Sequence, residues 1–179
     1  MELIEMQSVM EAIIYVADDP VKPEQFKEVF PDDSAETIGQ ALESMVESFN
    51  ARPGGMLIRE VAGGYRMTTR PEHHERIRAY LKTRPNAKLS MAALETLAVI
   101  AYKQPVTLAE ILAIRGKKSS TALQTLLERK LVAILGRKPV VGRPVLYGTS
   151  REFLIHFGLN NLSDLPTLEE FAQMAGDQL

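Results

Sequence analysis

The feature that most constrains the fold of this chain is an order of predicted elements that occurs twice. The two halves of the 179 residues carry the same succession of helix and strand signals at an offset of about 80 to 85 residues, close to the length of a small domain. Two short domains, each with a modest core, explain such a repeat better than one large domain does. We therefore predict domains at residues 1–87 and 88–160, followed by an acidic tail at 161–179 that forms at most a short helix.

Each half begins with an amphipathic helix that stops before a proline. Apolar residues recur at helical spacing in both stripes, which consist of Met6, Met10, Ile13 and Ala17 in the first half and Leu94, Leu97, Ala98 and Ala101 in the second. The first helix is expected to end near Pro20 and the second near Gln104 and Pro105, because proline cannot continue a helix. The dipeptides Pro20-Val21 and Pro105-Val106 then follow at matching positions.

A short second helix and a longer third helix follow in each half. Pro23 suits the first turn before Phe26, and Thr107 with Glu110 forms a capping box. The third helices are indicated by further apolar stripes, which consist of Ile38, Leu42, Met45 and Phe49 in the first half and Leu123, Leu126, Leu127 and Leu131 behind a Thr121–Gln124 capping box in the second. The first-half apolar residues expected to fill a core include Val9, Ile13, Val16, Phe26, Phe30, Leu42 and Phe49.

Both third helices are followed by a predicted β-hairpin. Residues 56–61 and 65–69 flank Gly63 and Gly64, while residues 132–135 and 145–147 flank a longer loop at 136–144. A further helix is capped by Thr69 after the first hairpin, and another by Ser150 after the second. Three helices and a hairpin wing make a winged helix. The predicted fold class is therefore mainly α with small β-hairpin wings, an α+β chain of two tandem winged-helix domains.

Composition argues against catalysis and against a membrane. The chain has no cysteine, which excludes disulfides, thiolate nucleophiles and cysteine zinc sites. No phosphate loop, HExxH motif or nucleophile elbow is present. We expect no catalytic residue, cofactor, metal or small-molecule substrate. The N-terminus lacks the pattern of a signal peptide and no apolar run reaches about 18 residues, so we expect a soluble cytoplasmic protein without membrane contact.

Charge is distributed unevenly along the chain. Residues 1–87 carry 10 Lys/Arg against 15 Asp/Glu, residues 88–151 carry 11 against 3, and residues 152–179 carry none against 5, so the net charges are −5, +8 and −5. A basic middle segment attracts nucleic acid, an acidic protein, or the acidic parts of its own chain. These readings stay open on charge alone.

DNA binding by a winged helix requires cations or hydrogen-bonding groups on the third helix and the wing, where they reach bases and phosphates. In the first half the third helix instead carries Glu36, Glu43 and Glu47, which repel phosphate. The second half offers a set suited to non-specific phosphate contact, formed by Lys117, Lys118, Arg137, Lys138 and Arg143. The alternative for Arg137 and Arg143 is that they brace the wing.

Motifs of the second half resemble those of a known family. The segment LSMAALETLAVIAY at 89–102 and QPVT at 104–107 are similar to the segregation and condensation protein B family, ScpB, and later motifs follow in the family's order. The residues that match are Leu94, Glu95, Tyr102, Pro105, Arg115, Gly116, Glu128, Arg129, Gly142, Arg143, Pro144, Tyr147, Phe153, Phe157 and Gly158. One position departs from the pattern, because Lys130 stands where the family usually has glycine.

The resemblance implies a non-enzymatic subunit of the bacterial SMC–kleisin complex, which is condensin-like and acts in chromosome condensation and segregation. It further implies a homodimer that binds the kleisin ScpA and, through it, the SMC ATPase, in the cytoplasm at the nucleoid. We expect the first domain to be the main dimer interface and any DNA contact to be weak or indirect. The alternative is a winged-helix DNA-binding transcription regulator, which the same fold could support.

Overall fold

The computed structural model describes residues 2–81, 89–116, 119–167 and 170. The chain divides into two compact units, Met1–Pro85 and Asn86–Leu179. Each unit has its own cluster of buried apolar side chains. The units are described below one at a time, as the first and the second domain.

The first domain begins with three helices packed around an apolar core. They are α1 at Leu3–Val16, α2 at Phe26–Val29 behind a 3-10 turn at Pro23–Gln25, and α3 at Ala35–Ala51. Ser34 starts α3, because its side chain accepts a hydrogen bond from the backbone NH of Thr37. Phe26 is completely buried and ties the short α2 to the core.

The first wing consists of strands β1 at Met56–Val61 and β2 at Gly64–Thr69. Val61 pairs with Gly64, so the tight turn is made by Ala62 and Gly63, both with positive φ, and not by Gly63 and Gly64 as the sequence suggested. A two-residue turn with positive φ at both positions matches the right-handed twist of the strands in a hairpin. Val21 adds an isolated antiparallel bridge to Tyr65. A 3-10 turn at Pro71–His73 then leads into α4 at His74–Leu81.

The second domain repeats this plan. Its helices are α5 at Met91–Lys103, α6 at Leu108–Arg115 and α7 at Ser119–Glu128. The predicted capping box at the start of α6 is confirmed, since the Thr107 side chain accepts from the backbone NH of Glu110 and the Glu110 carboxylate accepts from the backbone NH of Thr107. After α7 come β4 at Val132–Arg137, β5 at Val145–Thr149 and α8 at Arg151–Phe157, which is capped by Ser150.

A third strand in the second wing was missed by the sequence patterns. Strand β3 at Val106–Thr107 pairs with β5, which gives a three-stranded antiparallel sheet in the order β3-β5-β4. The Val21 bridge to Tyr65 is the corresponding contact in the first domain. In both domains the residue after the proline turn therefore joins the wing to the first helix. Two-residue strands carry no periodicity, so the sequence does not reveal them.

Several local predictions were wrong. The buried face of α5 is formed by Ala93, Thr96, Leu97 and Ile100, whereas Leu94 and Ala98 of the predicted stripe are exposed. Val16, expected in the first core, is also exposed. The α5 stripe was placed one residue off because an apolar run with small residues on two faces leaves the helix phase ambiguous. The α1 stripe is confirmed, since Met6 and Met10 are buried and Ile13 and Ala17 pack against the core.

Two predicted caps also fail. Thr69 is the last residue of β2, and the turn that follows starts at Arg70 without a side-chain cap. Arg70 instead donates to the carbonyl oxygens of Asn50 and Arg52 at the C-terminal end of α3. Thr121 lies inside α7, which begins at Ser119, so it forms no capping box with Gln124.

Lys130 adopts the left-handed conformation that its position requires. Its φ is 58°, its backbone NH bonds to the carbonyl of Leu127, and the NH of Leu131 bonds to the carbonyl of Leu126. This is the hydrogen-bond pattern that commonly ends a helix at a glycine. The departure from the family pattern therefore leaves the turn intact, at the conformational cost of a side chain in this region.

Candidate functional site

The family-like residues of α5 and α6 are joined by an ion pair. The guanidinium of Arg115 contacts the carboxylate of Glu95, which joins the exposed side of α5 to the last turn of α6. Gly116 follows with a φ of 83° and ends the helix. This contact gives Glu95 and Arg115, two of the matched residues, a structural role.

The other matched residues of α5 and the later elements serve mainly to fix the domain. The Tyr102 hydroxyl donates to the carbonyl oxygen of Pro166 at 2.7 Å, which fastens the segment after α8 to α5. Phe153 is buried and contacts Phe157, with the ring centroids 4.8 Å apart and the rings tilted by 44°. Gly158 ends α8 in the left-handed conformation. Glu128 accepts a hydrogen bond from Gln124 on the surface of α7.

The predicted phosphate-contact set is divided by the structure. Lys117 and Lys118 lie outside the described residues. The Lys138 ammonium lies 2.7 Å from Oε1 of Glu110 and forms an ion pair with it. Arg137 donates to the backbone carbonyl of Arg143 at 3.1 Å across the wing. In the described part of the chain, Arg137 and Arg143 form no ion pair.

Glu110 combines two roles at the base of the second wing. Its Oε2 accepts from the backbone NH and the hydroxyl of Thr107, while its Oε1 accepts from Lys138. The hydrogen bond from Lys138 and, to a smaller extent, those from Thr107 lower the pKa of the Glu110 carboxyl from 4.5 to about 2. The carboxylate is therefore charged at neutral pH and holds the wing against the start of α6.

A groove opens beside this ion pair. It has a volume of about 330 Å³ and runs between the first turn of α6 and the wing. Apolar groups from Leu108, Pro144, Val145 and Tyr147 line it. The exposed Arg137 and Arg143 stand at its edge. An apolar floor bordered by guanidinium groups is suited to a partner that has both apolar and anionic groups.

Neither third helix carries a cation for contact with DNA phosphates. Helix α7 contains no Lys or Arg, and its exposed residues are Ser120, Thr121, Gln124 and Glu128. On α3, Glu36, Glu43 and Glu47 are all exposed. Burial raises the pKa of Tyr65, and the negative charges of Glu60 and Glu43 raise it further. The third helices therefore lack the charged groups that hold a winged helix on the phosphate backbone, although α7 keeps polar side chains such as Thr121 and Gln124 on its surface.

The first domain instead presents an exposed apolar face on α1. Ile4 is 75% exposed and Tyr15 is 72% exposed, with Ser8 and Ala12 between them on the same side of the helix. Next to this face is a groove of about 390 Å³ whose lining residues include Tyr15, Phe49 and Met67. Sequence reasoning missed this face, because it considered only the apolar residues expected to fill the core and left Ile4 and Tyr15 unassigned. Apolar surface that is grouped in this way marks interaction sites.

No reaction centre emerges from the described residues. They contain no group of three or more His, Asp or Glu side chains placed to hold a metal ion. None of the helices in the described part of the chain has the length and hydropathy that crossing a bilayer would require. Among the described residues, the α1 face and the groove of the second wing are two surfaces that a partner could contact.

Comparison with known proteins agrees with the sequence motifs. The family model described as segregation and condensation complex subunit ScpB matches residues 8–168. The chain is 47% identical to segregation and condensation protein B of Syntrophotalea carbinolica over 174 residues, covering 97% of this chain and 87% of that one. The corresponding protein of Desulforamulus reducens is 44% identical, with 92% and 90% covered. A crystal structure of ScpB from Mycobacterium tuberculosis is 32% identical, covers 89% of this chain and 98% of that one, and has a TM-score of 0.43.

Proposed function

Because the chain belongs to the family of segregation and condensation complex subunits named ScpB, we propose that it is a non-enzymatic subunit of a bacterial SMC–kleisin complex. It binds the kleisin ScpA, and through it the SMC ATPase, and acts in chromosome condensation and segregation. The observation that carries the proposal is the family match over residues 8–168, which spans both winged-helix domains. The protein then resides in the cytoplasm and reaches the nucleoid as part of this complex.

The first domain is proposed as the homodimer interface. The exposed Ile4 and Tyr15 on α1 and the groove beside Phe49 supply apolar surface that a second copy would remove from water. The carboxylates on α3 would repel the phosphates of DNA, so this domain is poorly suited to bind it. Light scattering of residues 1–87 tests the assignment: a dimer is expected, and a strictly monomeric fragment at high micromolar concentration would contradict it.

The second domain and the tail are proposed to contribute kleisin contacts. Apolar anchors provide most of the affinity at such interfaces, while charged residues at the rim tune the encounter rate. The second domain supports this division, since its exposed wing carries apolar residues next to arginines. A folded fragment of residues 88–179 that lacks kleisin affinity, beside a fragment of residues 1–87 that retains all of it, would contradict the assignment.

A transcription regulator remains the alternative function, favoured by the net charge of +8 over residues 88–151. Sequence-specific binding would have to come without a cation on either third helix. Lys138 is already engaged by Glu110. Any contact of Lys117, Lys118, Arg137 or Arg143 with DNA is therefore proposed to be weak and directed at phosphates.

One paired experiment separates the two functions. The full chain is tested for capture of ScpA and, in parallel, for a gel shift of DNA at physiological salt, because low salt exaggerates phosphate contacts. We expect capture of ScpA and weak DNA binding that is equal for all sequences. The triple variant Lys117→Ala, Lys118→Ala and Lys138→Ala should lower DNA binding and retain ScpA. A sequence-specific DNA complex without ScpA capture would instead support the regulator.

A further inference from the structure

The groove of the second wing has an apolar floor and a positively charged edge, which would contact different parts of a ligand. Its floor is apolar, with Leu108 from α6, Val145 and Tyr147 from β5, and Pro144 from the wing loop. Its volume of about 330 Å³ exceeds the space that a single large side chain requires, and it is open to solvent. The floor alone therefore favours an apolar side chain supplied by a partner.

The edge of the groove carries positive charge that the described part of the domain does not neutralise. Arg137 is held by its hydrogen bond to the carbonyl of Arg143, and Arg143 follows Gly142 with positive φ at both residues. Among the described residues, neither guanidinium forms an ion pair, although the neighbouring Lys138 does. Each guanidinium offers several donors in a planar arrangement that matches a carboxylate.

We propose that this groove receives an acidic segment of the kleisin, with an apolar side chain on the floor and flanking carboxylates on Arg137 and Arg143. The inference rests on the proposed function, because it names the chemistry by which the second domain holds that partner. Val141, which is fully exposed at the wing tip, adds a second apolar contact beside the groove.

A nucleic acid fits the same surface less well. A phosphate backbone has no apolar group to place on a floor of leucine, valine and tyrosine carbons. Lys138, the third cation of this wing, is already paired with Glu110 and so has less to offer a phosphate backbone. A peptide can direct its carboxylates to the two arginines and place an apolar side chain on the floor. Charge complementarity thus points to a protein segment.

The test uses the full chain and full-length ScpA, with affinity measured by calorimetry over a salt series. Arg143→Glu reverses one charge at the edge of the groove. Arginine and glutamate both carry a Cβ, so the positive φ at this position costs the variant about as much as it costs the unaltered chain. Ala109→Trp fills the groove from an exposed position on α6. The matched control is Lys103→Glu, which makes the same charge change in the same domain, on the exposed end of α5.

Both groove variants are expected to weaken ScpA binding about tenfold or more at low salt, whereas the control changes it less than about twofold. The deficit of Arg143→Glu should shrink as salt rises, while that of Ala109→Trp should persist because it is steric. Circular dichroism melts of all variants confirm that the fold is retained. A photo-crosslinker in place of Val141 should capture a ScpA peptide that has more Asp and Glu than Lys and Arg.

The outcomes distinguish the inference from the function on which it rests. If the unaltered chain does not bind ScpA, the proposed function fails and the inference fails with it. If the unaltered chain binds ScpA and both groove variants bind equally well, the inference is wrong and the proposed function stands. A crosslinked peptide that is basic, or loss of DNA binding alone in Arg143→Glu, would also overturn it.

Discussion

The two domains of this chain share one plan and differ in what they expose. In each, three helices pack on a core and a wing is joined to the first helix by a short strand contact after a proline, at Val21 or at Val106. The first wing closes with the two-residue turn of Ala62 and Gly63, and the apolar surface lies on α1. The second wing has a long loop held by Lys138 and Glu110, and it exposes arginines. Common topology thus fixes the cores, and loop length and surface charge set the domains apart.

The largest expected effect tests whether the two cores are independent. Phe26→Ala should destabilise the first domain by about 3–5 kcal/mol and Ile111→Ala the second by about 2–5 kcal/mol, because each residue is completely buried on the short second helix of its domain. Hydrogen exchange followed by mass spectrometry reports protection in each domain separately. Loss of protection in both domains from either substitution would show that the halves unfold as one unit.

A glycine in each wing offers a sharper comparison. A Cβ at Gly64 would lie 2.8 Å from the carbonyl oxygen of Pro20, which is backbone, whereas a Cβ at Gly148 would meet the side chains of Leu135 and Gln104. Leu135 is 55% exposed and can move, whereas the Gln104 amide would have to shift from its hydrogen bonds with Thr149. We expect Gly64→Ala to cost about 3 kcal/mol and Gly148→Ala about 1–2 kcal/mol. Denaturant unfolding checks the order, and equal costs would mean that the two wings are equally rigid.

Lys130 gives a smaller effect of opposite sign. Lys130→Gly should stabilise the second domain by about 0.5–1 kcal/mol, since relief of the left-handed strain exceeds the entropy that glycine adds to the unfolded chain. Lys130→Ala is the control, because it removes the charge and keeps the Cβ. A gain in melting temperature for alanine equal to that for glycine would assign the effect to charge and not to backbone strain.

Ala62→Asn should give a comparable gain in the first wing, where Asn-Gly suits the turn.

The smallest expected effect concerns pH. The pKa of Glu110 is lowered from 4.5 to about 2, so the folded state binds the proton less readily than the unfolded state does. Its contribution to stability is therefore complete above about pH 4.5 and is lost as the pH falls towards about 2. Melting temperatures of the second domain over this range should fall less steeply in Glu110→Gln than in the unaltered chain. Identical slopes would show that the contact with Lys138 has no effect on stability in solution.

Much of the fold could be predicted because its signals are local. The capping box of Thr107 and Glu110, the cap at Ser150 and the proline before α2 each occupy a few consecutive residues and appear in the structure as expected. The wing strands were found, although β4 and β5 extend further than the alternation indicated, and a register shift near Leu135 interrupts their pairing. A bulge of this kind breaks the two-residue period on which strand prediction depends.

The candidate site was predicted only in part. Charge counting identified the basic wing, and the structure places Arg137 and Arg143 at the edge of one groove. The sequence could not show that Lys138 is paired, because its partner Glu110 lies 28 residues away in the sequence. The apolar patterns also assigned Leu94 and Val16 to cores from which the structure excludes them. Which apolar residues of a helix are buried depends on the elements packed against it.

The sequence by itself determined the order of the elements, their doubling and the family, because these depend on spacing, caps and motifs within short stretches. The tertiary structure alone decided the third strand at Val106–Thr107, the exposed face of α1 and the ion pair at the base of the second wing. Each of these depends on contacts between residues far apart in the chain. Such contacts form only when the helices pack, since packing brings β3 against β5 and Lys138 within hydrogen-bond distance of Glu110.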